Sequence, residues 1–336
     1  MTRAPGSPAP AAGPARDGLL NILKPPGMTS HDVVARVRRL LGVRRVGHTG
    51  TLDPGAAGVL VLCVGRATRL VELLQEEDKA YRAEMCLGAA TDTQDAFGEV
   101  VRVERDCAVD RARLREVMQR FVGPVQQVPP MTSAIRHQGR RLYELAREGV
   151  AVPREPRTVR IHRLELVRVE PDAGVLRAGT RITFDVTCSK GTYVRTLCAD
   201  MGEALGCAAF MSFLLRTRVG ELDLGTARTL EELEADAAAG GPVLLPMDAA
   251  LSRWPRVDLP AEAAARVAYG QPVAAASRAA AGGPGPERAP SAPDEGETRS
   301  RRRWVRLYDP AGNLLALAEP EGRGADVRWR PRIVFS

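Results

Sequence analysis

The chain has 336 residues, 44% of them apolar and 26% charged, with a formal net charge of +7 and a pI near 9.4. That apolar share supports an ordinary globular core. No apolar run approaches the ~18 residues of a membrane span, and the opening MTRAPGSPAPAAGPARDG lacks a signal peptide's apolar stretch, so a cytoplasmic protein without membrane contact is expected. The positive balance favours a polyanionic partner but does not choose among RNA, DNA and an anionic surface.

Residues 1–17 are rich in Pro, Ala and Gly, and residues 275–300 repeat that composition; both hold too few apolar residues to pack and are expected to be disordered. Between them, LLNILK reads as a strand. Ser30 is placed to cap a helix whose Val33, Val34, Val37, Leu40 and Leu41 share one face before Gly42. Residues 58–64 (GVLVLCV) read as a buried strand, and Tyr81, Ala83, Met85 and Leu87 alternate as a half-buried one. Leu114, Val117, Met118 and Phe121 keep helical spacing up to Gly123-Pro124. Residues 157–169 and 181–188 read as long strands, followed by a helix over about 192–205 and a strand over about 208–219. After Pro255 only short strands are expected, a small β domain over 255–336 split by the 275–300 insertion. The order of elements predicts α+β rather than a regular βαβ array, and no internal repeat is visible.

Two compositional features narrow the chemistry. The six cysteines form no C-x-x-C pair and are expected to be reduced, buried thiols, with no zinc site. Only Lys24, Lys79 and Lys190 are lysines, so 45 of the 48 basic residues are arginines. A compact ammonium and a planar guanidinium are not interchangeable, so each retained lysine marks a position that resists replacement.

The densest segment is GHTGTLDPGAAGVLVLCVG, in which Gly47, Gly50, Gly55 and Gly58 bracket Asp53-Pro54 ahead of a buried strand. Glycines and a proline hold one acidic side chain at a defined angle; a turn aspartate satisfying its own backbone is the alternative. On strand and helix-start positions, Tyr81 and Tyr193 read first as core or boundary aromatics, and His48 as a side chain bonded to its local turn.

This segment closely resembles the catalytic motif of the TruB family of pseudouridine synthases, G-H-x-G-x-L-D-P-x-A-[ST]-G-x-L, matched at Gly47, His48, Gly50, Leu52, Asp53, Pro54, Ala56, Gly58 and Leu60. Ala57 departs from the Ser or Thr of the pattern. The segments LLNILKPPGMTSHDVV, DKAYRAEMCLGAATDTQDAFGEV, CSKGTYVRTLCADMGEALG and FLLRTRVG follow in the family's order, and each retained lysine lies in one of these family segments.

The resemblance implies a catalytic domain over 18–250 with a mixed, mainly antiparallel sheet and flanking helices, plus a C-terminal β-barrel-like PUA domain over 255–336. It implies isomerisation of a uridine, position 55 of the tRNA T loop, to pseudouridine without cofactor or metal. Asp53 looks like the catalytic carboxylate, Arg195 its partner and Tyr81 the aromatic stacked on the target uracil. Tyr193 and Leu214 look like pocket walls, Lys24 a supporting lysine, and His48 the side chain that fills the gap left by the flipped base. Residues 123–155 resemble the insertion that grips the T-arm stem, with Arg136, His137, Arg140 and Arg141 facing RNA; a solvated amphipathic helix is the plainer reading. Thr132 stands where the family has Tyr or Phe. The C-terminal domain would reach the acceptor stem, with Arg301 to Arg303 as contacts or a solubilising run, and no obligate protein partner is expected.

The reaction breaks N1–C1′ and joins C5 to C1′, by carboxylate attack on C1′ or through a glycal; the sequence leaves both routes open. A dyskerin-like guide-RNA enzyme and a non-catalytic RNA-folding protein are the competing readings. A DNA-binding regulator would leave the glycine-framed aspartate unexplained.

Overall fold

In the computed structural model, residues 17–241, 243–275, 304–322 and 326–335 are described here. The disorder expected for 1–17 and 275–300 falls, but for Asp17 and Ala275, outside them, as does the 301–303 arginine run.

The chain opens with β1 (Gly18–Lys24), α1 (Ser30–Leu41), β2 (Val46–His48), β3 (Ala57–Val64) and β4 (Lys79–Leu87). A large mixed sheet runs in the order β1, β3, Ala209–Val219, β4, Arg181–Cys188, Arg157–Glu170 and Gly123–Gln127. Its pairings are antiparallel except that Ala209–Val219 runs parallel to β3, with Leu215 opposite Ala57 and Arg216 opposite Gly58. This is the expected α+β layout, and it sets the start of β3 beside Arg216. Residues Gly123–Gln127 form a sheet-edge strand, so the remainder of 123–155 departs from the sheet as a short hairpin and the helix Leu142–Arg147.

Alternation in β4 buries Ala83, Met85 and Leu87, which meet Phe184, Leu114 and Leu197 in one core between the sheet and the helices Arg111–Arg120 and Val194–Leu205. On the other side, α1 lays Val33, Val34 and Val37 against Leu60 and Leu62 of β3. A further core joins Leu19 and Val59 to Trp254, Trp304, Leu317 and Phe335, sewing the C-terminal part onto the main sheet. That part is a five-stranded sheet with the helix Ala261–Ala268, an element not visible in its Ala-rich sequence. No helix among the described residues is long and apolar enough to cross a membrane.

Two expectations are corrected. Thr29, not Ser30, caps α1: its side chain accepts from the Asp32 N–H while the Asp32 carboxylate accepts from the Thr29 N–H, a reciprocal cap that Ser30 is one position too late to make. And the cysteines are not all free thiols. Cys107 and Cys207 form a disulfide across a sequence separation of 100, because the strand leading into helix Arg111–Arg120 meets the end of helix Val194–Leu205; no spacing rule brings two such distant positions together.

Candidate active site

Asp53 sits in the loop between β2 and β3, and the loop is held from below by three side chains. Ser30, freed from capping, accepts from the Leu52 N–H at 2.8 Å and donates to the Leu52 carbonyl at 3.0 Å. Lys24, fully buried at the end of β1, donates to the carbonyls of Pro25, Pro54 and Ala56 at 2.8, 3.3 and 2.8 Å. Arg216, also buried, donates to Val59, Thr51 and Gly50 carbonyls at 2.7, 3.3 and 3.0 Å. Gly58 has φ 114°, and a Cβ there would stand 2.1 Å from the Arg216 carbonyl oxygen, so glycine is required by both backbone and space.

The Arg195 guanidinium, buried at the start of helix Val194–Leu205, lies 3.1 Å from the Asp53 carboxylate and 3.4 Å from that of Asp95, and donates to the Thr132 carbonyl at 2.9 Å. The contact at Thr132 is through the backbone, so the residue type that departs from the family pattern does not alter it. The Asp53 side chain keeps 39% of its surface open to a cleft lined by Asp95, Phe97, Met211, Phe213 and Leu214. Burial pushes its carboxyl above the usual carboxylate range, and the Arg195 charge opposes that rise. That burial is a tertiary effect which the sequence around Asp53 does not show.

Tyr81 lies on β4 directly opposite Arg216; burial pushes its phenol up to about 12, against the nearby Arg216 charge. Tyr193 immediately precedes the helix, its ring 5.8 Å from the Arg195 guanidinium, with its backbone N–H and carbonyl both bonded to the Gln127 side chain. His48 accepts from the Gly50 N–H at 3.3 Å, the local-turn bond, and burial with the nearby Arg216 charge lowers its pKa, consistent with a neutral acceptor. Arg136, Arg140 and Arg141 stand apart on the exposed hairpin, Arg140 paired with Glu148 and Arg141 5.8 Å from the Tyr143 ring. Among the lysines, Lys79 is buried with its ammonium on two backbone carbonyls, whereas Lys190 makes an exposed ion pair with Glu76.

The structure adds two residues that the sequence reading quoted only within longer segments. Asp95 lies in TDTQDAFG, where Thr93 and the Phe97 N–H fix one oxygen and the other faces Arg195. The preceding Gln94 takes φ 65°, a strained value for a side-chain-bearing residue beside the site. Arg216 lies two residues beyond Leu214, in a chain so rich in arginine that its burial could not be read from type.

The arrangement offers an ionisable carboxylate aimed by a guanidinium at an open cleft, on a loop fixed by buried cations. Comparisons agree with it. The model of the TruB family pseudouridylate synthase N-terminal domain matches residues 38–194, and that of the tRNA pseudouridylate synthase B C-terminal domain matches 195–252. The chain is 57% identical to tRNA pseudouridine synthase B of Symbiobacterium thermophilum over 76% of this chain and 82% of that one. It is 48% identical to the enzyme of Moorella thermoacetica over 92% and 96%. Among solved structures, a Cbf5–Nop10–Gar1 complex aligns with TM-score 0.67 and 28% identity, covering 95% of this chain and 85% of that one. The chain belongs to the TruB family of pseudouridylate synthases and has the pseudouridine synthase fold.

Proposed function

We propose that this enzyme isomerises uridine 55 in the T loop of tRNA to pseudouridine, with Asp53 as the carboxylate that acts on the sugar. The observation that carries the reading is the Asp53–Arg195 pair at 3.1 Å with the carboxylate open to the cleft. The N1–C1′ bond breaks, the uracil turns in the pocket, C5 joins C1′, and the proton displaced from C5 leaves the ring as N1 gains one; nothing is oxidised or hydrolysed. Arg195 keeps Asp53 anionic and aimed against the opposing effect of burial. A base inside a folded loop must be extruded, at a cost offset by stacking on Tyr81 and by phosphate contacts. His48 fills the vacated place, Tyr193 and Leu214 wall the pocket, and Lys24 holds the loop.

The hairpin carrying Arg136, Arg140 and Arg141 grips the T-arm stem, and the C-terminal five-stranded sheet acts as a PUA-like module toward the acceptor stem. The names of the relatives favour tRNA as substrate; the guide-particle reading rests on a more distant likeness.

Incubation with unmodified tRNA and carbodiimide mapping of pseudouridine, wild type against Asp53→Asn, tests this. New pseudouridine in the T loop from wild type alone, with RNA affinity retained in the variant, is the expected result. Binding without modification by wild type would favour an RNA-folding role instead.

A further inference from the structure

We propose that Phe97 and Phe213 form a stacking site for a second unpaired nucleobase, adjacent to the target uridine in the same RNA strand; this rests on the reading of the Asp53 cleft as a uridine site. Both rings line that cleft with Asp53, yet Phe97 is 77% exposed and Phe213 48% exposed. Phenylalanine is scarce here, six in the chain, and Phe184 and Phe335 are wholly buried. Two aromatic rings left in water at the mouth of one pocket form an apolar surface with no hydrogen-bonding group, which suits the face of a base and not its edges.

The backbone of Phe97 is held in place. Its N–H donates to Asp95 at 3.0 Å, Thr93 donates to the same oxygen at 2.7 Å, and the other Asp95 oxygen faces Arg195. The turn that aims Arg195 at Asp53 therefore also fixes the backbone that carries the ring. On the opposite side, a Cβ on Gly55 would stand 1.9 Å from the Phe97 ring, while Gly55 is not among the residues with left-handed backbone. A side chain at Gly55 would displace the ring, so Phe97 rests directly on the Asp53-Pro54-Gly55 turn.

A base drawn out beside the flipped uridine has lost its neighbours in the stack and gains a new one on these rings. Because every base has a π-face and phenylalanine reads no edge, the site is sensitive to the presence of that base and tolerant of its identity. The test uses a T-arm stem-loop RNA, intact or abasic at the nucleotide 5′ or 3′ of the target, with Kd and single-turnover pseudouridine formation measured for wild type and a Phe97→Ala/Phe213→Ala double variant. Both side chains are exposed, and unchanged thermal melting checks the variant's fold. One abasic RNA is expected to bind wild type about tenfold more weakly. The double variant is expected to bind intact RNA about tenfold more weakly and that abasic RNA no worse still, with Tyr at both positions restoring affinity and Leu failing to. Wild-type affinity in the double variant, indifference of wild type to both abasic substrates, or full additivity of the two losses would overturn the stacking site alone. Absence of pseudouridine from wild type on intact RNA would instead overturn the reading beneath it.

Discussion

The Asp53 carboxyl is set between two opposed effects, burial that raises its pKa and the Arg195 charge at 3.1 Å that lowers it. In the proposed reaction Asp53 acts in its ionised form, so activity is expected to fall as pH drops through the folded value. The acid limb of kcat/KM is expected above the ~4 of a free carboxylate, and Arg195→Met, which removes the opposing charge, moves that limb to higher pH as well as lowering the plateau. The same raised value means the folded state binds this proton more readily than the unfolded one, so Asp53→Asn keeps or gains thermal stability at neutral pH while losing turnover. Lys24 is fully buried with three carbonyl partners. Lys24→Met leaves those acceptors unpaired and is expected to cost about 3 kcal/mol in urea unfolding, and Lys24→Arg fails to restore it because a planar fork does not fit a site built for an ammonium.

At the scale of elements, the Asp53 loop is fixed by groups from three others: Lys24 from β1, Ser30 from α1 and Arg216 from Ala209–Val219. Arg195 reaches Asp53 from the first turn of helix Val194–Leu205. The Arg136–Arg141 hairpin is a separate, exposed element, and the phosphate contacts proposed for it would release counterions. Arg136→Ala and Arg141→Ala are each expected to reduce the slope of log Kd against log salt by about 1, measured by filter binding to tRNA, with kcat unchanged under saturation. Arg140→Ala has a smaller effect because that side chain is already paired with Glu148.

Across the whole molecule, the C-terminal sheet is tied to the catalytic part by a shared core and by Arg253, which pairs with Glu77 beside β4 and stacks 4.4 Å from the Trp254 ring. The Cys107–Cys207 disulfide closes a loop that contains the exposed hairpin and Arg195. Cys107→Ser is expected to lower stability by about 2–4 kcal/mol in urea without reductant, and wild type in dithiothreitol to match the variant.

Much of this was legible in the chain. Period-2 and period-3.6 patterns located β4, α1 and the helix at Val194 within a residue or two, because each buries one face, while β1 and β3, buried on both faces, were legible as short apolar runs. The Asp53 loop was legible because its glycines, proline and histidine lie in one unbroken run. The scarcity of lysine picked out Lys24 and Lys79, both of which hold backbone carbonyls. What the sequence by itself determined was therefore whatever rests on neighbours along the chain: the elements, the loop and the family. Tertiary structure alone decided the role of Ser30, the burial that raises Asp53, the placing of Arg216 and Asp95, the pairing of Cys107 with Cys207 and the two exposed phenylalanines at the cleft. Each of these joins or juxtaposes residues from different segments, and residue type carries no record of which distant segment folds against it.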